Sequence, residues 1–350
     1  MYNRNFEQAP EHIVNNGKAA FGTYSGVSPI IDIRGMRAPY AGIPLPSLLS
    51  RVRIKSTLNY VFSLEDYIGM TEFYDFKAFG LGQLIFWNKQ TGVKYVYHTF
   101  MANPRRFVPN NTSKARCASY NKNRHIKISW GRNHKHTAFM FRVKGDKARP
   151  FAEGFCMAMM NDKNHTDAMF VNPSPASSRC SATWFNSMSI RGKIELNGQS
   201  AQDSNGLAAM IINRCYYKFR SRAKFCVGLG TVKGRDIIFH LKTSNMDAAN
   251  ADSYNENILT VDGQQTALPP VYITHPFGKS DTWIIQDTEG MVDLTFTPLS
   301  KDDRIINIIA IRRTSTTIYG TFEGTLLTKE GEKLSFKGVR GIMNSSKLRM

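Results

Sequence analysis

The stretch YGTFEGTLLTKEGEKLSFKGVRG, residues 319–341, decides the fold. It reads as two antiparallel strands around a turn. Phe322 and Leu326 share one face of the first strand, Leu334 and Phe336 one face of the second, and Glu330-Gly331 supplies the bend. Glycines at 320, 324, 338 and 341 mark places where strands bend or backbones pack closely. The same rhythm runs outward through the chain. Period-two alternation predicts strands over Gln83–Trp87, Lys94–Phe100, Arg124–Trp130, Thr137–Val143, Ser187–Leu196, Arg214–Val227, Asp236–Lys242, Thr282–Gln286, Val292–Phe296 and Ile305–Arg312. Gly, Asn and Pro clusters punctuate them, the pattern of an antiparallel all-β protein with few short helices. The best helix candidate is Leu64–Tyr74.

The polar stretch NGQSAQDSNG (197–206) is the expected seam, while NPSPASS (172–178) falls inside the first half. This predicts an N-terminal arm over 1–20, a first β-half over 21–198 and a second over 199–350. GTYSG at 22–26 echoes GTFEG at 320–324, a weak sign of duplication.

The 350 residues carry 46 basic and 27 acidic side chains, a net charge of +19. The excess is uneven. Residues 101–150 hold 13 Lys/Arg against one acid, whereas 251–300 hold one against seven acids. Such asymmetry points to an acidic partner surface. The N-terminus has no apolar core and reads as no signal peptide, and no window approaches a membrane span. Five cysteines without CxxC spacing (117, 156, 180, 215, 226) predict reduced thiols and a cytoplasmic protein.

Two segments could carry chemistry. In RHIKISWGRNHKHTAFMFRVKGDKAR (124–149), Ile126, Ile128 and Trp130 alternate with polar residues, as do Phe139, Phe141 and Val143. That predicts a hairpin with one apolar face and a basic face and tip, through Arg124, Lys127, Arg132, Lys135, Arg142 and Lys144. His134-x-His136 lacks a third metal ligand at any useful spacing, so no metal and no cofactor is called. In RCYYKFRSRAKFCV (214–227), the even positions Arg214, Lys218, Arg220, Arg222 and Lys224 form a cationic ladder on one long strand. Adjacent like charges repel, so solvent, the acidic 251–300 segment or an external anion must offset them.

Other motifs are weaker. GLGTVKG (228–234) is followed by no helix and reads as a turn between strands. Glu65-Asp66 and Asp302-Asp303 read as solvated loop charges, and the four tryptophans as core. No catalytic set is nominated.

The C-terminal half resembles a known family. NENILTVDGQQTAL (255–268), DTWIIQDTEGMVDLTFTP (281–298) and the closing hairpin match, in order and spacing, the domain-of-unknown-function family twenty-eight-oh-four. Glu256, Asn257, Asp262, Trp283, Asp293 and Gly320 are among the matching positions. The match is specific over about the last hundred residues and loose over the first 200. The resemblance implies two lipocalin-like barrels or sandwiches, as in carotenoid hydratases and tocopherol cyclases. The chain departs from the family at Ile211–Tyr217, where only Arg214 survives, and at Asn344, where a Glu is expected.

The leading expectation is a non-enzymatic structural or interaction protein, docking its basic surface onto an acidic protein surface or polymer such as a cytoskeletal filament. The alternative is a binding protein or enzyme for a hydrophobic small molecule held in a barrel cavity, which a barrel filled by side chains would exclude. The third reading is nucleic-acid binding, for which the charge fits but no recognised module is present.

Overall fold

The computed structural model describes residues 2, 4–40, 52–102, 107–131, 136–159, 162–308 and 311–350. Every regular element among them is a strand. The chain opens on the short strands β1 (Glu7–Gln8), β2 (Val14–Asn15), β3 (Lys18–Ala19) and β4 (Gly22–Ser25). The first half follows with β5 (Ile54–Ser63), β6 (Tyr67–Asp75), β7 (Phe79–Asn88), β8 (Lys94–Ala102), β9 (Lys114–Asn121), β10 (Arg124–Gly131), β11 (His136–Val143) and β12 (Ala152–Met159). It is completed by β13 (Thr166–Pro173), β14 (Cys180–Leu196) and β15 (Ser204–Tyr216). The second half comprises β16 (Arg220–Val232), β17 (Arg235–Ser244), β18 (Ile258–Val261), β19 (Gln264–Ala267) and β20 (Tyr272–Thr274). It ends with β21 (Trp283–Gln286), β22 (Val292–Ile308), β23 (Ile311–Leu327) and β24 (Lys333–Arg349).

The first sheet runs β8-β7-β6-β5-β15-β14-β12-β11-β10-β9, with β13 bridging β14 and β4. It curls into a nearly closed barrel whose edge strands meet through side chains. Thr99 and Ser119 hydroxyls hydrogen-bond across the gap. Arg149 donates to the Val96 carbonyl at 2.9 Å and Tyr97 to that of Pro150 at 2.8 Å. The second sheet, β19-β18-β17-β16-β24-β23-β22-β21-β20, is a half-barrel. The all-β, two-part architecture expected from the strand rhythm and the family resemblance is therefore present.

The barrel interior is packed, not hollow. Alternation on β5 sends Leu58, Tyr60 and Phe62 inward, where the rings of Tyr60, Phe62, Phe86, Phe139 and Phe141 meet at 4.9–5.7 Å. Trp283, Phe296 and Phe322 fill the half-barrel. A third apolar layer joins the halves, with Val61, Ile68, Trp87, Phe185 and Ile211 facing Val227, Ile238, Tyr319 and Ile342. All four tryptophans are buried.

The closing stretch forms β23 and β24 as expected, with Leu326 opposite Leu334 and Gly331 in the left-handed turn region. Its glycines serve close packing. Gly228, Gly341 and Gly320 lie side by side on β16, β24 and β23. A Cβ there would sit 2.2 Å from the Phe239 ring, 2.4 Å from that of Phe322 and 2.6 Å from that of Phe296 respectively. The row leaves room for three rings packed against the sheet.

Several expectations are corrected. Leu64–Tyr74 is a turn and strand β6, because Ile68 and Met70 face the second half while Phe73 faces the barrel core, which erases the alternation. Residues 197–203 are the loop between β14 and β15, both in the first sheet, and 204–206 open β15. The chain crosses to the second sheet at 217–219, since the apolar run Leu207–Ile212 needs burial on both faces. Arg214–Val227 is consequently two strands in two sheets. Ile305–Arg312 spans the β22–β23 connection, and Asp302 and Asp303 lie on β22 rather than in a loop.

Candidate functional site

A polar cavity of about 60 Å³ lies between the halves. Tyr74 of β6, Asn172 and Ser174 at the end of β13, and Asn213 and Cys215 of β15 supply one wall. Lys242 of β17, Arg313 of β23 and the loop carrying Met246, Asp247 and Glu256 supply the other, and Tyr217 comes from the crossing segment. Alternation explains the placement. Asn213 and Cys215 sit on the face of β15 opposite Arg214, and Lys242 on the face of β17 shared with His240.

The cavity concentrates charge. Arg313 is 3% exposed and donates two hydrogen bonds, at 2.7 and 2.6 Å, to the carboxylate of Glu72, which is 5% exposed. This pair joins β23 to β6 across the interface, with the guanidinium 4.7 Å from the Tyr74 ring centre. Lys242 forms a close ion pair with Glu256, and His240 Nε2 lies 3.9 Å from the same carboxylate. Burial works against charge on both partners. The Glu256 and Asp247 carboxylates nevertheless hold the Lys242 ammonium above the ordinary lysine range. Lys242 and His240 likewise hold Glu256 well below the usual carboxylate range.

Asp247 differs. Desolvation outweighs the attraction of Lys242, Glu256 adds repulsion, and its pKa is raised to about 6. Its Oδ2 accepts the Ser244 amide at 2.6 Å. Around it stand neutral groups: burial pushes the Tyr217 phenol and the Cys215 thiol upward, and Ser174 Oγ lies 3.1 Å from Cys215 Sγ. Asn213 donates to Ser181 and Thr183 hydroxyls at 2.9 and 2.7 Å. The buried Asn172 Oδ1 has no hydrogen-bond partner within the protein. The arrangement offers a titratable carboxyl beside fixed charges and oriented hydroxyls, the equipment of proton transfer.

The sequence-predicted cations are not gathered there. On the first hairpin, Lys127 and Lys144 lie on the barrel surface. Arg124 donates to the His98 carbonyl at 2.5 Å, and Arg142 sits 3.6 Å from Glu153. Arg132, Lys135 and His134 lie outside the described residues. The ladder is divided between sheets. Arg214 donates to the Val108 carbonyl at 2.6 Å and Lys218 to that of Asn245 at 2.9 Å. Lys224, at the other sheet, donates to the Ile273 carbonyl at 2.7 Å, while Arg220 and Arg222 are exposed.

Sequence reasoning missed Lys242, Asp247, Tyr217 and Arg313. Glu256 was visible as a matched family position, and the divergent stretch 211–217 supplies Asn213, Cys215 and Tyr217 to the cavity. All five cysteines are free and buried. Among the described residues no His/Cys/Asp/Glu group could hold a metal ion, and no helix is long and apolar enough to cross a membrane.

No curated protein matches the chain. Among solved structures it is similar to kievitone hydratase from Nectria haematococca, with 12% identity and a TM-score of 0.49, covering 91% of this chain and 97% of that one. It is also similar to CghA, solved with and without Sch210972, at 9% identity and a TM-score of 0.42, covering 85% of this chain and 88% of that one. The reading of a non-enzymatic docking protein for an acidic polymer is corrected: the predicted basic surface is scattered over two sheets and partly tied to backbone carbonyls. The family model described as Domain of unknown function (DUF2804) matches residues 37–350, and the chain belongs to that family.

Proposed function

We propose that the chain is an enzyme acting on a small organic molecule by proton transfer in the cavity between the two halves. The observation that carries this reading is Asp247. A carboxyl with a pKa of about 6 beside a fixed Lys242–Glu256 pair can give and take a proton near neutral pH. Asn172 Oδ1 supplies an acceptor for a substrate hydroxyl, and Tyr74 and Tyr217 line the same cavity.

The ligand is amphipathic. Tyr74, Tyr217, Met246 and Leu348 present apolar surface next to the charged groups. A chamber of about 60 Å³ has room for roughly two waters. A larger substrate therefore enters by displacing the loop that carries Met246–Glu256. This reading keeps the small-molecule alternative of the sequence but moves its site, because the barrel itself is filled. The free thiols support a reducing compartment.

The test is substrate discovery with a built-in control. Wild-type protein, Asp247→Asn and the surface variant Lys337→Ala are incubated with a fractionated small-molecule extract and followed by mass spectrometry. The expected result is a compound converted by wild type and Lys337→Ala and left untouched by Asp247→Asn. Equal conversion by all three would remove Asp247 from the chemistry.

A further inference from the structure

Strands β22, β23, β24 and β16 continue past the core of the half-barrel as a four-stranded ribbon. One face of it is covered by the first half. Ile306 and Leu348 are buried there, Arg313 meets Glu72, and Arg304 reaches Gln83 at 3.1 Å. Alternation puts Lys301, Asp303 and Ile305, Arg312, Lys347 and Arg349, and Arg220 and Arg222 on the opposite, exposed face.

The register stacks these cations. Arg312, Arg349 and Arg220 form one row across three strands, and Lys347 and Arg222 stand opposite each other in the next. Like charges directly opposite are destabilising. Among the described residues, none of Arg220, Arg222, Arg312, Lys347 and Arg349 has a carboxylate partner. Asp303 accepts from Thr316 at 2.6 Å and lies 3.8 Å from Lys301.

Large apolar groups stand among the cations. Ile305, on the face itself, is 67% exposed. The loop between β20 and β21 is fastened onto the same face, with Lys279 donating to Thr316 Oγ1 at 2.8 Å and Lys301 to Ser280 Oγ at 2.8 Å. Its tip carries Phe277, which is 78% exposed.

We propose that this ribbon face docks onto an anionic lipid bilayer, with the arginine row on headgroup phosphates and Phe277 and Ile305 entering the interface. A wide cation field mixed with isolated apolar tips fits headgroups and acyl boundary together. A single-stranded nucleic acid would call for a stacking platform built into the sheet beside the cations, whereas the exposed ring Phe277 sits at a loop tip and the nearby Trp283 is fully buried. The inference rests on the ribbon face alone and is independent of the catalytic reading.

The test is flotation of the full-length protein with phosphatidylcholine vesicles, with and without phosphatidylserine. The expected result is binding to the anionic vesicles only, suppressed by salt. The combined Arg220→Glu, Arg312→Glu and Arg349→Glu variant should bind at least about tenfold less with an unchanged melting temperature. Phe277→Ser, at a loop tip, should weaken binding on its own. Absence of flotation, equal flotation with neutral vesicles, or wild-type behaviour of the triple variant would overturn the proposal. So would RNA binding as tight as vesicle binding and indifferent to Phe277→Ser.

Discussion

Arg313 and Glu72 belong to opposite halves, are almost fully buried, and share two hydrogen bonds. A buried pair of this kind has offset most of its attraction against lost hydration, so its removal as a unit changes little, whereas removing one member strands a charge. Arg313→Met or Glu72→Gln alone should therefore cost about 3–5 kcal/mol in urea unfolding. The double variant Arg313→Met/Glu72→Leu should recover most of that loss. Additive losses in the double variant would show that the two side chains act separately. Asp247 supplies the pH dependence. Its pKa in the folded protein is about 6, above the ordinary 3.8. Between those values the native state holds a proton that the unfolded chain has released, so stability falls as pH rises from about 4 to about 6 and is level above. Glu256 has the opposite sign. Its depressed pKa adds stability that is intact above about 4.5 and is lost at more acid pH. Asp247→Asn should flatten the pH 4–6 slope and raise neutral stability by at most about 3 kcal/mol, leaving the acid limb of Glu256 in place. A slope unchanged in that variant would assign it to another group.

At the scale of elements, the glycine row gives the closing hairpin its exact neighbours. A methyl group on Gly341 would lie 2.3 Å from the Val227 carbonyl and 2.4 Å from the Phe322 ring, both fixed parts of the sheet. Gly338, with φ at 82°, has nothing within 4 Å of its Cβ position, so only backbone strain resists substitution. Gly341→Ala should lower the urea midpoint by the equivalent of 3 kcal/mol or so, at the top of the overpacking range, and Gly338→Ala by about 1 kcal/mol. Equal effects would make the row incidental. The hairpin was legible because one face of it is solvated and alternation survives. Strand β6 was not, because the interface and the barrel core each claim one of its faces. The site was legible only at Glu256, through its family motif. Lys242, Asp247, Tyr217 and Arg313 come from separate segments that only the pairing of two sheets brings together.

For the whole molecule, the decisive surface is the apolar layer between the halves. The expected pair of lipocalin-like barrels or sandwiches packed together takes the form of a first sheet that closes on itself through side chains and a second, a half-barrel, that leans on the first. Trp87 and Tyr319, with ring centres 5.6 Å apart and both nearly inaccessible to solvent, meet in the middle of that layer. The barrel has its own filled core, whereas the half-barrel leaves Val227, Ile238 and Ile342 dependent on a partner surface. Loosening the contact should therefore penalise the second half first. Tyr319→Ala removes the ring on the dependent side and should cost about 3–5 kcal/mol. Hydrogen exchange reads the division directly. In the wild type, amides of β23 and β24 should open more readily than those of β10 and β11, which exchange only through a rarer opening of the barrel. In Tyr319→Ala the β23 and β24 amides should exchange faster while β10 and β11 keep their protection. If both pairs accelerate equally, the halves unfold as one body and the first barrel has no stability of its own.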